Sequence, residues 1–317
     1  MVTQAKSLTL PIVATTRLHR FTIYMRRAWP LYVMCLPALI LLALFSYYPM
    51  YGVVIAFQNY NPALGFIKSP WVGLQNFRFL LSLPDFWQIT GNTLIIAVSK
   101  IVTVQVFAIT FALMLNEVGS SVFKRIVQTL TYLPHFLSWV VLAGILIDML
   151  STTGLVNRLL MNFGFQPIVF LGSNLWFRPV VIVSNMWQEV GWSAIIYLAA
   201  LMSIDPQLHE AAAIDGANHL QRILNVTLPG ISSTIVLLGV LALGNVLNAG
   251  FEQILNLYNP VVYATGDILD TYVYRTGLIS AQFSLAGAVG LAKSAVSLVL
   301  IVTAWKLADK YAGYRLF

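Results

Sequence analysis

Charged residues and cysteine are both scarce in this sequence. Asp, Glu, Lys and Arg make up 9% of its 317 residues, whereas an average soluble domain contains about 25%. Cys35 is the only cysteine, which excludes a disulfide framework and a metal site built from several thiolates. The four histidines form no His-x-x-x-His pair, so the sequence predicts no zinc site.

Motifs for nucleotide hydrolysis and nucleophilic catalysis are missing as well. Segment 287–294 ends in Lys293-Ser294, but a phosphate-binding loop needs glycine where Ala292 precedes that lysine. Gly191-Trp192-Ser193 lacks the final glycine of a nucleophile elbow, and no strand pattern precedes it. We therefore expect that this chain is not an enzyme, and that it has no catalytic residues and no bound metal or cofactor.

Apolar residues dominate instead, at 59% of the chain. A membrane-spanning helix needs about 20 consecutive, mostly apolar residues. Six stretches satisfy this requirement: Leu31–Phe57, Ile89–Leu115, Ile126–Leu150, Pro179–Met202, Ile231–Gly250 and Leu285–Ala308. The sequence therefore predicts an all-α membrane protein with about six transmembrane helices, surrounded by lipid.

Basic residues fall mainly on alternate connections between these stretches. They are Lys6, Arg17, Arg20, Arg26 and Arg27 near the N-terminus, Lys124 and Arg125, Arg222, and Lys306, Lys310 and Arg315 near the C-terminus. Because basic loops remain in the cytosol, both termini and the segment around Arg222 are predicted to be cytosolic. The net charge of +7 is thus explained by the orientation of the chain in the membrane. The sequence contains no basic stretch interleaved with aromatic residues, the pattern that would indicate nucleic-acid binding.

The cytosolic segment 204–230 has the chemistry of two short helices. Asp205-Pro206 is a favourable cap and first-turn pair, and strong helix formers follow it. Asp215-Gly216 is expected to end the first helix, because glycine accepts the left-handed conformation found at helix ends. Leu228-Pro229-Gly230 is expected to stop the second. These helices are too short to bury a core alone, so either they dock on something larger or the segment is an ordinary loop.

The same segment resembles the EAA coupling motif of permease subunits of binding-protein-dependent ABC importers. The matching residues are Glu210, Ala211, Ala212, Asp215, Gly216, Leu228 and Pro229. Val226 stands where the family usually has isoleucine. The resemblance implies a MetI-like permease fold, in which these residues couple the membrane helices to an ATPase. It further implies two ATPase subunits that bind the ATP and Mg, a second homologous permease, and an extracytoplasmic substrate-binding protein.

Shorter matches point to the sugar and polysaccharide branch of this family, often labelled LplB-like. They include Asn92–Ile96, Tyr132–Phe136, Trp187–Trp192, Gly250–Gln253 and Asp270–Arg275. The resemblance implies a permease for import of oligosaccharides or polysaccharides across the bacterial inner membrane. An acidic substrate such as alginate is favoured, while neutral oligosaccharides, the exact saccharide and its length stay open.

Polar residues within the predicted spans are candidates for the substrate path, because ionisable groups at membrane depth are costly unless they face protein or water. Aromatic rings stack on sugar rings, and amides and carboxylates bond hydroxyl groups. Helix-to-helix hydrogen bonding would use the same amides. The candidates are Lys100, Trp187, Gln188, Glu189, Asn245, Asn248, Glu252 and Lys293. Of these, Gln188, Asn248 and Glu252 are the ones we expect most to line the path.

The predicted organisation is a cytosolic arm and elbow at 1–30, a permease domain at 31–308 containing the coupling loop 204–230, and a cytosolic tail at 309–317. Two other functions compete with ATP-driven import. A membrane-embedded glycan or lipid transferase would use Glu189 or Glu252 as a base. An ion-coupled sugar carrier would place Lys100, Glu189 or Glu252 in a proton relay.

Overall fold

The computed structural model describes residues 17–244 and 246–312, which are almost entirely helical. No sheet forms within these residues, and their one extended pairing is an isolated antiparallel bridge between Gln58 and Trp71. The predicted all-α fold class is confirmed. Residues 1–16, Asn245 and residues 313–317 lie outside the described residues, so the predicted limits of the arm (1–30) and the tail (309–317) stay predictions.

The chain divides into two units, and the first comprises Met1–Val54. It contains helix α1 (Arg17–Leu42), which has Pro30 and Pro37 in its interior. A π-helical stretch, Ala43–Tyr47, follows and leads into the helical turn Tyr48–Met50. Pro49 has no backbone N–H to donate, and a wide π turn just before it accommodates the interrupted hydrogen-bond ladder.

The second unit, Ile55–Phe317, begins with short helices and then forms α2 (Pro84–Glu117), α3 (Ser121–Tyr132) and α4 (Trp139–Leu150). The prediction of one continuous span over 126–150 is wrong, because residues 133–138 interrupt it. Pro134 lies in a 3₁₀ turn there, and the Ser138 hydroxyl accepts a hydrogen bond from the Val141 amide at 3.5 Å as the N-cap of α4.

The chain continues through α5 (Phe177–Leu201), α6 (Pro206–Ile214), α7 (His219–Gly230) and α8 (Ser232–Gly244). It ends with α9 (Phe251–Leu257), α10 (Leu269–Tyr274) and α11 (Phe283–Ala312). The remaining helical turns are Tyr51–Phe57, Gly65–Lys68, Gln75–Ser82, Leu155–Asn162, Pro260–Val262, Tyr263–Gly266 and Arg275–Ile279.

Four described segments are long and apolar enough to span a membrane: Ala28–Phe57, Pro84–Glu117, Trp139–Asn162 and Phe283–Lys306. A fifth results if α7 and α8, which are bent by 57°, form one span. Helix α5 is less apolar because polar residues interrupt it, yet its 25 residues extend about 37 Å, enough to cross the hydrocarbon core. Six spans are reached when α5 is included.

Small side chains let α2 and α5 approach closely. Ala108 and Ala112 of α2 and Ala194 of α5 are fully buried in one apolar cluster, which also contains Leu201 and Ile231. Small residues at helix contacts are typical of membrane bundles, where close packing provides much of the association energy. This cluster lies directly beside the segment that carries the coupling motif.

The connection between α8 and α11 is folded into the second unit rather than looped out. Ile254 and Leu257 of α9 and Ile268, at the start of α10, belong to a buried cluster with Phe177 of α5. Asp267 is buried and accepts hydrogen bonds from Thr271 at 2.7 Å and Arg275 at 2.6 Å. This connection therefore contributes directly to the core.

We expect Gly191→Ala to destabilise the protein. A Cβ at Gly191 would lie 2.2 Å from the carbonyl oxygen of Thr131, so α5 and α3 would have to separate. Overpacking of this kind costs about 1–3 kcal/mol. Thermal unfolding of the detergent-purified chain measures the effect.

Gly91→Ala is the matched control, because Gly91 also lies inside a long helix but a Cβ added there would have no atom within 4 Å. Its melting temperature should equal or exceed that of the unsubstituted protein, since alanine favours helix more than glycine does. Equal melting temperatures for both variants would show that the α3–α5 contact is not tight.

Candidate coupling segment and translocation cavity

Local capping fixes both ends of α6. The Asp205 carboxylate accepts a hydrogen bond from the Gln207 amide at 3.0 Å, as the Asp-Pro pair predicted. At the other end Gly216 has φ of 80°. The amides of Gly216 and Ala217 donate to the carbonyls of Ala213 and Ala212, which is the Schellman arrangement. The helix end at Asp215-Gly216 is confirmed.

Helix α7 starts immediately afterwards with a capping box. Asn218 accepts from the Gln221 amide at 2.9 Å, and the Gln221 side chain accepts from the Asn218 amide at 2.8 Å. The expectation that Leu228-Pro229-Gly230 ends this helix is confirmed, because α7 stops at Gly230 and α8 begins at Ser232 after a bend of 57°. These residues form its last turn, because a π-helical stretch over Ile223–Thr227 precedes Pro229 and accommodates it.

The coupling segment presents its apolar side chains outward. Ile214 is 87% exposed, and Leu208, Leu220 and Leu224 are exposed as well. Glu210, Ala211, Asp215 and Gly216 are exposed, whereas Ala212 is half-buried. An apolar row on a polar, protruding segment is typical of a surface that meets another protein.

The end of α7 is anchored in the buried core between α2 and α5. Ile231 is buried in the cluster formed by α2 and α5, and Ile204 and Leu228 pack against the same cluster. His219 also lies 3.8 Å from Glu117, the last residue of α2. A displacement of the exposed helices would therefore be transmitted to α2 and α5.

Helices α2, α5 and α8 enclose a cavity of about 450 Å³. Three predicted path residues, Lys100, Glu189 and Asn248, line it. Three further lining residues, Gln105, Ser193 and Tyr197, were not singled out by the sequence for this site. Candidate path residues from the second, fourth and fifth predicted spans thus meet at one cavity, although not all of the candidates line it.

His135 lies beside Glu189 and Trp192 on the cavity wall. The Nδ1 atom of His135 lies 3.2 Å from a Glu189 carboxylate oxygen, without the alignment of a hydrogen bond. The imidazole stacks on the Trp192 ring at 4.6 Å, with the planes 2° apart. A carboxylate beside an aromatic face offers both contacts that a sugar ring requires.

Lys100 borders the cavity, but its ammonium group is hydrogen-bonded within the protein. It is 6% exposed, and its ammonium donates to the Ala249 carbonyl at 2.6 Å and to the Gln253 side-chain oxygen. Gln253 in turn donates to the Val181 carbonyl and the Ser184 hydroxyl, each at 2.8 Å. This network connects α2, α5 and α9 through bonds inside the protein.

Other predicted path residues lie elsewhere. Gln188 is buried and donates to the Leu137 carbonyl at 3.2 Å. Trp187 borders a separate apolar cavity of about 320 Å³. Glu252 is an exposed residue of α9, and it does not line the cavity of about 450 Å³. Asn245 lies outside the described residues.

Lys293 lines a different cavity, of about 520 Å³, together with Asn248 and Asp270. Asp270 was not among the predicted site residues. It lies on the connection between the fifth and sixth predicted spans, with no helical periodicity relating it to Lys293. Only the folding of α10 against α11 brings the two together.

Comparisons with known proteins agree with this architecture. The chain is 46% identical over 282 residues to the polygalacturonan/rhamnogalacturonan transport system permease protein YteP of Bacillus subtilis (strain 168), covering 89% of this chain and 88% of that protein. It is 41% identical over 293 residues to protein LplB of the same organism, covering 92% of each.

The fold matches a crystal structure of a bacterial ABC transporter involved in the import of the acidic polysaccharide alginate. The TM-score is 0.86 at 40% identity, covering 92% of this chain and 99% of that chain. This likeness confirms the predicted permease fold. The sequence profile of the family described as binding-protein-dependent transport system inner membrane component matches residues 105–306. The chain therefore belongs to this family of membrane permeases of binding-protein-dependent transport systems.

Proposed function

We propose that this chain is the permease subunit of an ATP-driven importer of acidic oligosaccharides or polysaccharides. Its relatives include a permease named for polygalacturonan and rhamnogalacturonan and a transporter of alginate. These polymers differ in their sugars but share uronate carboxylates. The shared chemistry supports the acidic class over any single member of it, alginate included.

The observation that carries the ATP-driven mechanism is the exposed pair of helices α6 and α7. Their apolar row has no covering partner among the described residues of this chain, and the end of α7 packs beside α2 and α5. A partner protein that binds this row can displace α2 and α5, which form walls of the cavity. We assign this role to Glu210, Ala211, Ala212, Asp215, Gly216, Leu228 and Pro229.

The proposed assembly contains this chain, a second homologous permease and two ATPase subunits that bind ATP and Mg. An extracytoplasmic binding protein delivers the saccharide. Both termini and the coupling loop 204–230 face the cytosol, which the distribution of basic residues supports. Family membership favours this mechanism over the ion-coupled carrier and the transferase.

Cross-linking tests the coupling surface. In a Cys35→Ser background, Ile214→Cys should form a cross-link to an ATPase subunit, because Ile214 is 87% exposed in the coupling segment. Ile67→Cys is the matched control, since this isoleucine is 93% exposed on the predicted outer side. A membrane-impermeant thiol reagent added to intact cells should label the Ile67→Cys variant alone. ATPase cross-linking from position 67, or external labelling at position 214, contradicts the proposal.

The turn at Gly216 provides a second test. Gly216→Leu should abolish ATP-driven uptake while membrane insertion stays normal, because φ of 80° is unfavourable for a leucine. Gly216→Asn should retain most of the uptake, since asparagine tolerates the left-handed region. Uptake in proteoliposomes measures both. Normal uptake by the leucine variant would show that the turn geometry is dispensable.

Asn248 and Gln188 separate path residues from structural ones. Asn248→Ala should lower uptake several-fold with the amount of assembled complex unchanged, because Asn248 lines the cavity. Gln188→Ala should lower the melting temperature, since it removes the buried side chain that donates to the Leu137 carbonyl, a hydrogen bond worth about 0.5–1.5 kcal/mol. If the Gln188 variant kept the stability of the unsubstituted protein but lost uptake, Gln188 would instead be a residue of the substrate path.

A further inference from the structure

An ion pair with an amide neighbour lies at the wall of the permease cavities. The Lys293 ammonium of α11 donates to the Asp270 carboxylate at 2.5 Å and to the Asn248 side-chain oxygen at 2.7 Å. Asp270 belongs to α10, and Asn248 belongs to the segment between α8 and α9. We call these three residues the Lys293 cluster. It joins three separate parts of the chain.

The Lys293 cluster stands where three cavities meet. All three residues line the cavity of about 520 Å³. Asn248 and Asp270 also line a cavity of about 760 Å³, and Asn248 lines the cavity of about 450 Å³ that holds Glu189 and Trp192. A solute that passes among these cavities would therefore pass the cluster.

Lys100, which is buried, and Lys293, which is partly buried, differ in what holds them. Lys100 is bonded by a backbone carbonyl and a buried amide within the core network. Lys293 is bonded by two side chains that themselves line cavities. The side chains of Lys293 and Asp270 are 15% and 24% exposed, and Ser294 and Ser297 border the same space. The Lys293 partners can exchange with a solute, whereas the Lys100 partners are locked by packing.

We propose that the Lys293 cluster is a subsite for one uronate residue of the transported chain. The uronate carboxylate accepts from Lys293, and its hydroxyl groups donate to Asp270 and Asn248. In the empty state the same three side chains bond one another, which keeps the ammonium neutralised within the membrane. This inference rests on the proposed import of acidic saccharides and names the residues that select them.

The chemistry of the three side chains fits this ligand class. An ammonium group has three donors and no acceptor, whereas a carboxylate only accepts. A uronate supplies both a carboxylate for Lys293 and hydroxyls for Asp270, while a neutral sugar supplies hydroxyls alone. Both partners are ionised in the bond between ammonium and carboxylate, whereas only one is ionised in the bond between a hydroxyl and Asp270, so the former is the stronger. Lys293 should thus decide the preference for an acidic chain.

The test uses the complete transporter in proteoliposomes, with its binding protein and an oligogalacturonate or alginate oligosaccharide. The readout is the amount of saccharide imported per ATP hydrolysed. In the double variant Lys293→Gln/Asp270→Asn, both charges are removed together and neither is left unpaired. Import per ATP should fall about tenfold, which corresponds to one charge-assisted hydrogen bond, while the amount of assembled complex is unchanged.

Three further variants separate the cation from the ion pair. Asp270→Asn and Lys293→Arg each keep a cation at position 293, so import per ATP should fall less than in the double variant, by about threefold, given one retained charge-assisted bond. Lys68→Gln/Asp85→Asn removes an exposed lysine and aspartate that line none of the three cavities. Its import should be unchanged.

If the double variant imports as much saccharide per ATP as the unsubstituted transporter, the proposed subsite is overturned. If the double variant does not assemble, the Asp270→Asn variant provides the test. An assembled Asp270→Asn complex with the same tenfold loss would show that the ion pair is structural. Failure of the proposed function is distinct: the unsubstituted transporter would then import a neutral saccharide but neither uronate oligomer. That result also removes the basis for a uronate subsite.

Discussion

A charged or amide side chain at membrane depth must find its partner within the protein or in a water-filled cavity, because lipid supplies none. Lys100 satisfies this constraint through Gln253, which also bonds the backbone of α5. One buried ammonium thereby fixes the relative positions of α2, α5 and α9. The helices that form the cavity wall are held together by the same bonds that neutralise their polar atoms.

The constraint also sorts the polar residues into two groups. Gln188, Gln253 and Asn92 are buried, and each donates to a backbone carbonyl of another segment. Glu189 and Asn248 instead border open space. Both groups contain amides at helical spacing, so residue type alone does not distinguish a residue that holds the bundle together from one that meets a solute.

The coupling segment follows a different logic. Helices α6 and α7 protrude, and their geometry is set by caps within the segment: Asp205, the turn at Gly216 and the capping box of Asn218. Such local bonds keep their form whether or not a partner is present. The segment is thus a preformed surface, and the buried contacts of Ile204, Leu228 and Ile231 link it to the membrane helices.

The sequence by itself determined the fold class, the positions of most spans and the two short helices of the coupling segment. Apolar runs, helix-capping residues and a helix-ending glycine each act over a few residues, so their effects can be read from the sequence alone. Only the tertiary structure decided that Lys293 meets Asp270 and Asn248 while Gln188 turns away from the cavity. These outcomes depend on which helix faces meet. The breaks at Pro134 and Ile231 redirect the chain, and the faces that then meet belong to residues distant in sequence.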